Sequence, residues 1–160
     1  MHNNNVAEIL TDLIYREAWL LDEQDYDTWL SLLADDYIFW MPLSRNQDSP
    51  LTASSLLYED HFLTRLRINR LNNARNFSQQ PRSRSHHVIQ RPQIFCETGA
   101  SDARSVSQVL YTETRSDNER HYAAQTEHHF RLLNGEWKIT ARKVVLVNPQ
   151  RPLDSLQLII

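Results

Sequence analysis

Three doublets hold the residue types of acid/base chemistry: Asp35-Asp36, His86-His87 and His128-His129. A carboxylate bonded to an imidazole orients it as a general base, and burial lifts a carboxylate pKa toward neutrality. Asp36 with His86 is the candidate dyad of a cavity enzyme. The competing reading is structural. Aspartates gather at helix-to-strand corners because their side chains bond nearby amides, and an inward strand histidine is commonly a hydrogen-bonded core residue. Neighbouring strand residues point to opposite faces, so one histidine of each doublet faces in. Alternation puts His128 inward with Tyr122 and Phe130, and His129 outward. A mononuclear metal site of two His and one carboxylate needs a convergence that no local spacing here supplies, so no metal is expected in this chain. Cys96 has no flanking signature and reads as a small buried hydrophobe. No nucleophile elbow accompanies the serines.

Composition removes other classes. The chain has two glycines, Gly99 and Gly135. A P-loop or a dinucleotide-binding turn needs more, because glycine lets the backbone approach phosphate. One cysteine excludes an iron–sulfur cluster held within this chain and a multi-cysteine zinc site. It also excludes an internal disulfide, so a cytoplasmic address is expected. No apolar run approaches the roughly 20 residues of a membrane span, and the N-terminus shows no secretion-signal pattern. A length of 160 residues fits one domain, 1–160.

Net charge is only −3, but it is segregated. Residues 1–60 hold twelve Asp/Glu and two Arg, whereas residues 61–96 hold seven Arg and no acid. The chain is acidic overall and has only two lysines, Lys138 and Lys143, which argues against nucleic acid. Arginine without lysine suits protein interfaces, where the planar fork pairs carboxylates. Arg65, Arg67, Arg70, Arg82 and Arg84 are therefore the candidate inter-subunit contacts.

The elements that must position these residues follow from periodicity. Val6, Ile9, Leu10, Leu13, Glu17, Leu20 and Leu21 mark an amphipathic helix over 5–22, with Glu17 the one polar break. Asp25 caps a short second helix carrying Trp29, Leu32 and Leu33, and Asp35-Asp36 end it. Residues 37–41 form a strand stopped by Pro42, 43–53 a loop, and 54–71 a third helix with its arginines outward. Residues 72–85 read as a long polar loop. Four long strands follow. They turn at 99–102, at 116–119 and at Asn134-Gly135, with irregularities expected at Pro92 and near Arg142-Lys143. The apolar end, 151–160, is expected to be pinned down. Helix, helix, strand, helix and then a meander is an α+β order: a cone-shaped, curved antiparallel sheet with N-terminal helices in its concave face.

Four stretches then show a family resemblance: "YREAWLLDEQDYDTWLSLLADDYIFWMPLSR", "YEDHFLTRLRINRL", "SRSHHVIQRPQIF" and "WKITARKVVLVNPQRPLDSLQLII". Together, and in this order, they resemble the small (β) subunits of aromatic-ring-hydroxylating dioxygenases, most of all the shorter members that act on aromatic acids. The resemblance implies the NTF2-like, cystatin-like fold and a structural role without catalytic residues. It further implies β–β trimer contacts, an α3β3 assembly and a large α subunit holding a Rieske [2Fe–2S] cluster and a mononuclear Fe(II). NAD(P)H would supply electrons through a reductase. The cavity enzyme using Asp36 and His86, a dehydratase or isomerase, is the alternative.

Overall fold

The structure is a computed structural model and describes residues 2–73, 75, 81–149 and 158–160. Helix α1 (His2–Asp22) leads to a short α2 (Tyr26–Leu30) and strand β1 (Leu33–Pro42). Then come β2 (Ser55–Asp60), α3 (His61–Asn72), β3 (Arg84–Ile89), β4 (Gln93–Phe95), β5 (Asp102–Arg115), β6 (Asn118–Leu133) and β7 (Glu136–Leu146). One sheet runs β2-β1-β7-β6-β5-β3, with β4 also on β5.

The α+β architecture is the one expected, but the sheet is not wholly antiparallel. β1 and β7 pair in parallel, so the sheet is mixed; the other pairings are antiparallel. Hairpin-linked strands must be antiparallel, but β1 and β7 are far apart in the chain and free of that constraint.

α1 buries Leu10, Glu17, Leu20 and Leu21 of the expected stripe, but Ile9 is exposed and Ile14, outside that stripe, is buried in its place. Asp25 caps α2 by accepting from the Thr28 amide at 3.2 Å. Asp35 and Asp36 lie within β1 and do not form a helix-to-strand corner. They sit where the β1–β7 register slips between Leu33 and Ile38, and both are exposed.

The helix expected over 54–71 begins only at His61, because residues 55–60 pair with β1 as a strand. Asp60 sets the boundary: its side chain accepts from the Leu63 amide at 2.8 Å, an N-cap in mid-stretch. The buried face of α3 is Thr64, Ile68 and Leu71, leaving Phe62, Leu63 and Leu66 exposed. The loop before β2 is held by the buried side chain of Gln47, which accepts from the Leu43 amide and donates to Ser49 and Ala53 carbonyls.

β5 and β6 carry alternating burial over most of their length. Their hairpin turns at Ser116 (φ 52°), and the next at Asn134 and Gly135 (φ 51° and 83°), where positive φ favours these residue types. The irregularity expected at Arg142-Lys143 falls slightly earlier. His129 pairs Ala141 and Phe130 pairs Ile139, so Thr140 is the extra residue. The slip turns Arg142 inward beside Val144.

Residues 74 and 76–80 of the expected long loop, and 151–157 of the expected pinned tail, lie outside the described residues. Leu158, Ile159 and Ile160 are within them and join the main core.

Candidate functional site

α1 places two acids against the sheet, and each organises a polar cluster. Glu17 sits deepest. Its Oε1 accepts from Trp29 Nε1 at 3.1 Å, and its Oε2 lies 2.6 Å from His128 Nε2 and 3.9 Å from Arg142 Nε. His128 and Arg142 are register partners on β6 and β7, so the sheet presents them side by side. The side chains of all three ionisable groups are 2% exposed. Burial pushes the Glu17 carboxyl up, but Arg142, His128 and the two hydrogen bonds outweigh it and hold it at about 2. Nothing in solution reaches this cluster directly, so its chemistry is to lock α1 and α2 onto β6 and β7.

Asp22 ends α1 and reaches β3. Its Oδ1 accepts from Ser85 Oγ at 3.0 Å and lies 2.6 Å from His87 Nδ1, while Oδ2 accepts from the His87 amide at 2.9 Å. Burial raises the Asp22 pKa, but the bonds and charge from His87 win, and it lies below its ordinary value. Here a carboxylate does orient an imidazole. The pair is Asp22 with His87, however, and the His87 ring packs edge-on against Tyr111 at 4.9 Å with a buried, unpartnered Nε2. A molecule in the neighbouring cleft does not meet that nitrogen. The cleft itself, about 540 Å³, lies between α1 and β3 and is lined by Tyr15, Trp19, Glu23, Arg82, Arg84 and His86 among others.

The structure does not bring Asp36 and His86 together. Asp36 on β1 accepts from Arg131 Nη1 at 2.9 Å. His86 on β3 is 73% exposed, with Nδ1 3.8 Å from Asp22. Three strands, β7, β6 and β5, separate β1 from β3. At about 4.8 Å per step that is roughly 19 Å of sheet.

The five arginines divide into two groups. Arg65, Arg67 and Arg70 are on α3; Arg82 and Arg84 line the cleft. Arg67 is engaged within the chain, where its Nε and Nη2 fork the Glu59 carboxylate on β2. Arg65, Arg70, Arg82 and Arg84 are exposed. Cys96 is half-buried. Among the described residues, no three His, Cys, Asp or Glu side chains are grouped to hold a metal ion, and no helix is long and apolar enough to cross a membrane.

Sequence reasoning passed over Asp22 and Trp19. It also passed over the outward apolar row Val88, Leu110, Ala123 and Val147, which crosses four neighbouring strands and their ends on one face. The available signal for Glu17 was its place in an apolar stripe facing an inward histidine.

The class of protein follows from comparison of this architecture and sequence with known proteins. The fold is the cone-shaped NTF2-like, cystatin-like one. Its likeness to the β subunit of the benzoate 1,2-dioxygenase from Burkholderia mallei has a TM-score of 0.74 at 24% identity, covering 94% of this chain and 95% of that one. The ring hydroxylating beta subunit family model matches residues 16–150. The small oxygenase component of the p-cumate 2,3-dioxygenase system of Pseudomonas putida is 29% identical over 140 residues, 84% of this chain and 76% of the relative. The β subunit of toluate 1,2-dioxygenase from Pseudomonas putida is 29% identical over 154 residues, 88% and 90% of the two chains. The chain belongs to the β subunits of aromatic-ring-hydroxylating dioxygenases.

Proposed function

We propose that this chain is the non-catalytic, supporting component of an α3β3 oxygenase of the cytoplasm. The large subunit would hold the Rieske [2Fe–2S] cluster and the mononuclear Fe(II), with NAD(P)H as electron source through a reductase. Trimer contacts between β subunits and arginine contacts through Arg65, Arg70, Arg82 and Arg84 belong to the same reading. The observation that carries it is surface chemistry: Trp19, Phe62, Val88, Leu110 and Val147 are 54–73% exposed. Large apolar groups left to water in several places mark surfaces that partners cover. The substrate of the complex is proposed to be an aromatic carboxylate, since p-cumate and toluate, named in two relatives, are both of that kind.

The test is to co-express this chain with the large subunit and purify through a tag on this chain alone. A complex of about three plus three chains with iron–sulfur absorbance is the expected product. A colourless homo-oligomer that leaves the large subunit behind would reject the reading. Within the purified complex, Asp36→Asn and His86→Ala are each expected to leave turnover within about twofold of wild type. Both side chains are largely exposed, and the sheet keeps them apart. A hundredfold loss in either variant would return catalysis to this chain.

A further inference from the structure

The outward apolar row of the sheet is one half of a larger uncharged field. Val88, Leu110 and Ala123 stand side by side on β3, β5 and β6, and Val147 lies beside Ala123 just past β7. Two residues along each strand, and so on the same face, come Gln90, Gln108 and Gln125. None of the seven is buried, and Val88, Leu110 and Val147 are more than half exposed. Fixed charge returns only at the borders. Glu127 and Lys143 stand on one side, and Arg84 and Glu119 on the other, past a row of His86, Thr112 and His121. The solvated face of an antiparallel sheet is ordinarily polar, so a field this apolar and this free of charge marks a covered surface. Trp19, by contrast, shares its cleft with Arg82, Arg84 and Glu23, and Phe62 and Leu66 share the exposed side of α3 with Arg65 and Arg70.

Absence of charge is what a self-contact around a rotation axis selects. Near the axis each residue meets copies of itself, so a lysine or a glutamate there would face its like. Apolar side chains meet their copies without that cost. Glutamine is suited further, because its amide holds both a donor and an acceptor and can bond a copy of itself. Around a three-fold axis, each of three amides can donate to the next and accept from the last. A contact with an unlike chain carries no such restriction, since paired charges there add specificity. We infer that this outer face of the sheet is the contact between copies of this chain, packed around a three-fold axis with Leu110 and the glutamine row toward that axis. The inference rests on the three-fold β contacts proposed above and names the face that makes them.

The test is the mass of the full chain by sedimentation equilibrium. Wild type is expected as three chains. Leu110→Asp and Leu110→Lys are each expected to raise the concentration of half-assembly about tenfold or more, because either sign meets its like. Circular dichroism should not change, since residue 110 is exposed. A second variant leaves the contact intact: Gln108→Cys in a Cys96→Ser chain is expected to be linked to another copy by a short bismaleimide. If wild type is three chains, both residue-110 variants assemble equally well and no link forms at residue 108, the face is wrong while the three-fold reading stands. Disruption by one sign only would place an unlike surface opposite Leu110 and would also overturn the inference. So would variants that keep the three-chain mass but lose the large subunit on co-purification, which would give the face to that subunit. A wild-type mass of one or two chains would overturn the inference together with the three-fold reading. Capture of the large subunit by the tagged chain would then tell whether the supporting role survives.

Discussion

A chain ending at residue 157 is expected to lose about 4–8 kcal/mol, a large share of its stability, at 25 °C. Leu158, Ile159 and Ile160 are 0–2% exposed and belong to the main core cluster. Fully burying such a side chain contributes about 1.5–3 kcal/mol, so the three together contribute about 4–8 kcal/mol after allowing for residual burial in the unfolded chain. Domains of this size are stable by only about 5–15 kcal/mol. The loss reaches beyond apolar area. The Leu158 amide donates to Glu113 Oε2 at 3.4 Å, and Tyr111 donates to the same oxygen at 2.9 Å. Glu113 is a buried acid on the inner face of β5; burial of the neighbouring Tyr26 phenol, with the Glu113 charge beside it, pushes that phenol up to about 12. Removing the last three residues opens this polar centre to water as well as the apolar cluster around it. Urea unfolding followed by circular dichroism measures the effect. An unchanged urea midpoint would mean that the three residues add nothing to the fold. The single change Ile160→Ala should cost about 2–5 kcal/mol by the same assay.

Local patterning carried much of the fold, and its failures have physical causes. The Asp25 cap, the Asn134-Gly135 turn and the inward face of β6 are set by residues close in sequence and appear as expected, as do Leu10, Glu17, Leu20 and Leu21 of the α1 stripe. His128 faces inward and His129 outward, as period-two alternation requires. The β1–β7 parallel pair joins residues about a hundred positions apart, so no local pattern announces it. β2 was hidden because Leu56 and Leu57 continue into the apolar residues of α3. An apolar count along a helix does not say which face the chain itself covers. Phe62, Leu63 and Leu66 have helical spacing, yet they point to solvent. For the same reason the dyad search chose Asp36. Sequence shows that an aspartate and a histidine exist, but sheet order decides which aspartate meets which histidine. That order gives His87 to Asp22 and Asp36 to Arg131.

Glu17→Ala is expected to cost about 3–5 kcal/mol, as when one partner of a buried ion pair is removed. Among the described residues, Glu17 is the only acid paired with His128 and Arg142 in the core, and alanine removes that counter-charge from the buried arginine. It also strands Trp29 Nε1, so the indole loses the bond that fixes α2 against α1. An apolar replacement of all three, Glu17→Leu with His128→Leu and Arg142→Met, should cost far less than the single change, because no charge is left unpaired. That contrast separates an electrostatic role from simple volume. The pH dependence gives a second handle. The folded pKa of Glu17, about 2, lies below its ordinary 4.5, so its contribution is complete above pH 4.5 and is lost as pH falls toward 2. The shift corresponds to roughly 3 kcal/mol. Asp22 is depressed in the same direction and adds to the same acid limb. Glu17→Gln should therefore lower stability at pH 7 and flatten, without abolishing, its decline between pH 4.5 and 2. Urea midpoints across that range decide it. Parallel curves for wild type and Glu17→Gln would mean that Glu17 takes up protons alike in the folded and unfolded chain. The charged lock between helix and sheet described here would then be wrong.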